Sequence, residues 1–250
     1  MKDGERKRIK VYNRIFTEAC YCFINLMPYF GHMSGSLRRA TEETQADRER
    51  LRLDAQKNDK AFDDRVWKDL QIIYGQLYPR FLNYSLLVSA CSIFEYQLKR
   101  ICELVRDEHK MPFSWDMSGS KASMLVKVRR YLKFAGVILT DDPPRIELQP
   151  PDFKPTEVFD ENRVVIKVLW QSLNNYFMVR NNIVHDNGVI GEARNPEKLQ
   201  HYATEKGIIE DNHGHAELSI TPEFIREVCD TMEKFFWKVQ GAYYSTPLPE

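Results

Sequence analysis

The segment YFMVRNNIVHDNG, residues 176–188, sets Arg180, Asn181, Asn182 and His185 into an otherwise apolar, helix-like run that stops at Gly188. These side chains suit a phosphodiester. A guanidinium holds a phosphate through two parallel hydrogen bonds, and an imidazole that titrates near neutrality takes a proton from a ribose 2′-hydroxyl. Asn181 stands four residues before His185, one turn away on the same helix face, where it can orient the imidazole or bind substrate. These are the parts required for metal-independent RNA cleavage, with the attacking oxygen supplied by the substrate.

Positions five apart differ by about 140° around a regular helix, so Arg180 and His185 do not share a face. Two arrangements are compatible with that spacing. In one, Arg180 pairs with a carboxylate such as Glu95, and His185 is a helix-end residue stabilised by the helix dipole. In the other, the helix ends at His185 and frees the imidazole to swing toward Arg180 or toward the equivalent helix of a second subunit. Asn182 lies between them as a supporting residue.

A helix from near Asp160 must carry this motif, with Val164, Val165, Val168, Leu169, Leu173, Phe177 and Ile183 as its apolar positions, and Gly188 fits a left-handed cap. Upstream, the apolar-periodic region from Val66 to His109 is expected to break at Pro79, because proline lacks the amide donor and clashes with the preceding turn. Its second helix bears a polar seam of Ser85, Ser89, Ser92, Glu95 and Lys99. The serines suit close helix packing, and Glu95 beside Phe94 needs a partner if buried. Between them and the motif come a short, serine-capped helix and a proline-rich connection, TDDPPRIELQPPDFKPTE. The short helix region holds Lys121, Lys127, Arg129, Arg130 and Lys133 with no acid among them, which reads either as a solvated basic face or as a contact to a phosphate backbone.

After the motif, GIIEDNHGHAELSI reads as a hairpin turning at Asn212-His213-Gly214, and Thr221-Pro222 opens a final amphipathic helix. At the other end, apolar residues from Val11 to Phe30 recur at three- and four-residue spacings, and Ser36 to Asp64 interleaves both charge signs as a solvated helix does. Glu18, Asn25 and Pro28 argue against a signal peptide, and no stable membrane insertion is expected. The architecture expected is therefore mainly α, a helical bundle with a small appended β-hairpin.

Composition narrows the chemistry. The 36 basic and 36 acidic side chains cancel, so any polyanion must be held by a local patch and not by bulk charge. Cys20, Cys22, Cys91, Cys102 and Cys229 lack zinc-knuckle spacing, and four of them fall in apolar, helix-like segments where a reduced thiol serves as a small hydrophobe, which points to a reducing, cytoplasmic compartment. His213 and His215 flank a turn glycine, with Asp211 and Glu217 the nearest further ligands, too few for a convincing metal site; no metal and no cofactor is expected. His32, His109 and His201 read as loop or helix-end residues. The glycine-rich phosphate loops, HExxH and GxSxG are absent.

Arg180-Asn181-Asn182-Ile183-Val184-His185 resembles the R-x(4-6)-H signature of the HEPN superfamily, with the polar residue that family favours directly after the arginine. The upstream helix carrying SACSIFEYQLKRI, the tryptophan-containing helix that leads into the motif and the glycine beyond it are similar to ribonuclease-type HEPN proteins of bacterial toxin and defence systems. The resemblance spans about Val66 to Tyr244. It implies a HEPN-like helical domain over 61–246 behind an N-terminal helical extension over 1–60, and a homodimer with both motifs at its interface. It also implies RNA as substrate and an antitoxin or other defence-system protein as partner. Arg180 would then hold the phosphate, His185 act as base or acid, and Glu95 anchor Arg180. One departure is Asn187, which stands where a HEPN subgroup carries tyrosine two residues after the histidine; the nucleotide-transfer chemistry of that subgroup is not implied. The alternative is a non-catalytic HEPN module that binds RNA, a nucleotide or a protein partner.

Overall fold

The computed structural model describes residues 3–58, 61–116, 122–137, 166–212 and 214–244, and they are mainly helical with one two-stranded antiparallel hairpin. The helices are α1 (Asp3–Lys57), α2 (Arg65–Ile72), α3 (Tyr78–Glu108), α4 (Met124–Phe134), α5 (Ile166–Asp186), α6 (Pro196–Glu205) and α7 (Pro222–Tyr244), with β1 (Ile209–Asn212) and β2 (His215–Leu218) between α6 and α7. Two compact units share these helices. The first is Met1–Phe23, Ala90–Met178 and Glu227–Glu250; the second is Ile24–Ser89 and Val179–Arg226.

α1 joins the amphipathic stretch and the charged stretch into one helix, Pro28 included. In its first part Phe16, Ala19, Cys20 and Phe23 recur at helical spacing and are buried. In its second part the interleaved charges pair along the helix, as Arg50–Asp47 at 3.0 Å and Arg52–Glu49 at 3.2 Å, which adds little stability in water but keeps the face solvated. Arg48 reaches off the helix and grips the carboxylate of Asp64 with two hydrogen bonds of 2.8 and 2.7 Å.

Pro79 interrupts the helix more gently than its chemistry suggests. A single π-helical stretch, Ile73–Leu77, lies between α2 and α3, and Pro79 falls in the first turn of α3. The widened turn carries the helix past the proline without a loop, and the Tyr74 carbonyl there accepts from the Thr41 hydroxyl at 3.4 Å. Along α3 the polar seam is solvent-facing: Ser85, Ser89, Ser92 and Lys99 are exposed, so the serines do not serve close helix packing there. Glu95 is half-buried.

The core of the first unit is aromatic. The Phe94 ring lies 5.0 Å from Phe236, 5.4 Å from Phe235 and 6.1 Å from Phe177, and Trp170 meets Phe235 at 4.8 Å. Cys20 and Cys229 are free and buried, and burial pushes both thiols up to about 12, so they act as small hydrophobes. In the second unit Leu86, Leu87, Val179, Ile190, Leu199, Ile208, Leu218 and Ile225 are buried.

The hairpin pairs Ile209 with Leu218 and Asn212 with His215, and Gly214 turns it at a φ of 86°. That register sets Glu210 directly opposite Glu217, a repulsive pair. Arg80 of α3 relieves it by pairing with Glu217 and, at 3.7 Å, with Glu210. Thr221 caps α7 by accepting from the Phe224 amide at 3.2 Å, and Pro222 occupies the first helical position. α6, not anticipated from periodicity, is capped by the Asn195 side chain, which accepts from the Lys198 amide.

The start of the motif helix near Asp160, the apolar positions Val164 and Val165 and the proline-rich connection lie outside the described residues, as do Lys121 and His213. His32 lies within α1 and His201 within α6, and only His109 sits just past a helix end.

Candidate functional site

The last turn of α5 presents the motif from the second unit. The helix stays regular through Asp186, one residue beyond His185, so the imidazole is not released by an early helix end. The separation of about 140° between Arg180 and His185 therefore persists. Asn181 spans part of that gap: Arg180 Nη1 donates to Asn181 Oδ1 at 2.9 Å, and Asn181 sits one turn below His185. Asn181 and His185 are both exposed. Arg180 is half-buried, and among the described residues of the second unit its buried Nε has no hydrogen-bond acceptor and its guanidinium no carboxylate partner. The guanidinium thus retains donor capacity, and the imidazole faces solvent about 140° away around the helix.

Asn182 points the other way, only 3% exposed. Its amide donates to the Asp186 carboxylate at 3.1 Å and to the Val189 carbonyl at 2.9 Å, tying the helix to the chain that leaves it. Asn187 and Gly188 then take left-handed conformations, at φ 51° and 86°, and the Gly188 amide returns to the Asn182 carbonyl at 3.3 Å. Asn182 is a positioning residue, and the cap involves two left-handed residues where glycine alone was expected. Ile183 is buried, while Val184 is 45% exposed beside His185.

Behind the cap lies a polar cluster that sequence reasoning missed. The Tyr84 hydroxyl donates to the Leu218 carbonyl and accepts from Arg80 Nε at 3.1 Å, while the Leu218 amide donates to the Gly188 carbonyl at 2.9 Å. Burial pushes the Tyr84 phenol up, partly offset by the Arg80 charge. Burial also works to raise Glu217, but hydrogen bonds from Asn212 and Arg80 and the Arg80 charge outweigh it and hold the carboxyl below its usual range. Glu217 is thus engaged in an ion pair and is not a spare metal ligand. Glycine following a helical motif was the available signal; its neighbour Tyr84 had none.

The remaining candidates are dispersed. Glu95 belongs to the first unit and Arg180 to the second, and the anchoring role stays an expectation of the sequence. On α4, Ser123 occupies the cap position without a side-chain hydrogen bond. Arg129, Arg130 and Lys133 are exposed and Lys127 half-buried, with the Arg129 guanidinium 5.7 Å above the Trp170 ring. His215 is exposed on β2, and Asp211 accepts from the Gly214 amide at 2.8 Å within the hairpin turn.

No protein-family model, curated protein or solved structure matches this chain. Among the described residues no helix is long and apolar enough to cross a membrane.

Proposed function

We propose that this protein is a HEPN-type endoribonuclease, working in the cytoplasm as a homodimer and serving as a toxin or effector of a defence system held in check by an antitoxin or related partner. The observation that carries this reading is the end of α5. There, a guanidinium tethered to Asn181 keeps a buried donor with no acceptor among the described residues, and His185 stands one turn beyond Asn181 with its imidazole in solvent.

In this mechanism Arg180 donates to the non-bridging oxygens of the scissile phosphate. His185 takes the proton of the 2′-hydroxyl, the O2′–P bond forms, and the P–O5′ bond breaks. The leaving O5′ takes a proton from solvent and the His185 imidazolium returns its proton to solvent, leaving a 2′,3′-cyclic phosphate and a 5′-hydroxyl.

Incubation of RNA with the protein in EDTA tests this. Cleavage persists and leaves cyclic phosphate ends, and both His185→Ala and Arg180→Lys abolish it, since an ammonium lacks the planar two-point grip. Loss of activity on chelation, restored by a divalent ion, would sink the mechanism. Full RNA or partner binding without cleavage would leave the non-catalytic module in its place.

A further inference from the structure

α4 divides sharply into two sides. Leu125, Val128, Tyr131 and Leu132 are buried, while Arg130, Lys133 and Phe134 are exposed, Phe134 to 67%. At about 100° per residue the three exposed side chains fall within one arc of roughly 100°, with Arg130 and Phe134 about 6 Å apart along the axis. Phe134 is propped from one side: its ring centroid lies 5.0 Å from that of Phe113 at 60°, and Phe113 in turn meets Tyr131 at 6.0 Å. The rest of the ring is open to solvent.

The neighbouring cations are engaged elsewhere. Arg106 pairs with Asp107 at 2.8 Å, and Arg129 lies over Trp170. Asp116, whose carboxyl is lowered chiefly by a hydrogen bond from Ser114, also takes up charge from Lys127 and Arg106. Among the described residues Arg130 and Lys133 have no ion-pair partner. Two uncommitted cations flanking a supported, open aromatic ring match the phosphates and the unstacked base of a single-stranded nucleic acid. A duplex offers no free base face to the ring. An anionic membrane fits less well, because a surface-lying helix buries its apolar side in lipid and that side of α4 is already buried in protein.

We infer that the exposed side of α4 binds single-stranded RNA, with an unpaired base stacked on Phe134 and the flanking phosphates held by Arg130 and Lys133. This deepens the ribonuclease reading and rests on it for RNA as the natural ligand. It makes unpaired RNA the substrate class.

The test uses the full chain and a fluorescein-labelled 2′-O-methyl oligouridylate, which cannot be cut because its 2′-oxygen is blocked, with binding read by anisotropy across a salt series. Phe134→Ala weakens binding about tenfold and leaves the salt dependence unchanged, while Phe134→Trp restores it. Arg130→Gln with Lys133→Gln flattens the slope of log K against log salt by about 1.4, the effect of two single-strand phosphates. A duplex of equal length binds more weakly. The inference is overturned if Phe134→Ala binds as tightly as wild type, if the charge variants keep the slope, or if phosphatidylserine vesicles take up the protein while the oligonucleotide does not. Far-UV circular dichroism confirms that each variant is folded, and all three positions are exposed. Cleavage of unmodified RNA separates the two readings. Binding through Phe134 with no cleavage by wild type defeats the ribonuclease alone, whereas cleavage abolished by His185→Ala with binding indifferent to Phe134 defeats the platform alone.

Discussion

A Cβ placed on Gly188 would lie 2.2 Å from the hydroxyl oxygen of Tyr84 and 2.9 Å from its Cζ. The tyrosine that fills this space ties α3 to β2 through the Leu218 carbonyl, and Leu218 in turn bonds Gly188 through its amide. The cap that ends the motif helix is thus fixed by a tyrosine and a strand residue far from it in sequence.

Gly188→Ala is therefore expected to destabilise the protein by about 2 kcal/mol or more, because a left-handed φ and an overpacked contact act together. Urea unfolding measures it. Adding Tyr84→Phe removes the nearest clashing atom, so the double variant should lose less than the sum of the two single losses. Strict additivity would mean that the two residues do not meet.

Glu217 predicts an acid limb. Its carboxyl is held below the ordinary range in the folded chain, so the stability it contributes is complete above the unfolded carboxylate pKa and is lost as pH falls through the lower, folded value. Melting temperature followed from neutral to acid pH should fall in that window, and Glu217→Gln should flatten this part of the curve. An unchanged curve in the variant would assign the acid limb to other carboxylates.

Much of this architecture was legible where local chemistry suffices. Asp186-Asn187-Gly188 marked the end of α5, Asn212-His213-Gly214 marked the hairpin, and Thr221-Pro222 marked the start of α7. α6 also carried its signal, an Asn195 cap followed by proline and glutamate, but only Leu199, Tyr202 and Ala203 are buried on it, too few to show a period. α1 ran on from the apolar stretch into the charged one and ended at Lys57, short of Asp64, because a charged, solvated helix has no apolar rhythm whose loss would mark its end. The Tyr84 cluster was out of reach for a different reason. Tyr84 and Leu218 are 134 residues apart, and neither has a local pattern that names the other.

Two asparagines in the motif should respond in opposite ways. Asn182→Ala removes the donor shared by Asp186 and Val189 from a buried site and should cost ~1–3 kcal/mol, whereas Asn181→Ala acts on an exposed residue and should stay within about 0.5 kcal/mol. Cleavage should show the reverse distinction: at temperatures where both are folded, Asn181→Ala loses activity through Arg180 and His185, while Asn182→Ala retains more of it. Chemical unfolding paired with RNA cleavage settles the assignment. Equal stability losses would mean that the helix end is not held by Asn182.

The last prediction concerns subunits. α5 is regular through Asp186, which keeps Arg180 and His185 about 140° apart around the axis and leaves one chain poorly arranged to place both on a single phosphate. A twofold axis beside the helix end would bring Arg180 of one copy toward His185 of the other, with exposed Val184 available for the contact. Arg180→Ala and His185→Ala proteins, each inactive alone, should then recover part of the activity when mixed, because one composite site in the mixed dimer keeps both wild-type residues. The recovered fraction should rise with total concentration in step with dimer measured by sedimentation. A monomer that cleaves at full rate at the lowest measurable concentration, or mixtures that never recover activity although mixed dimers form, would refute the shared site.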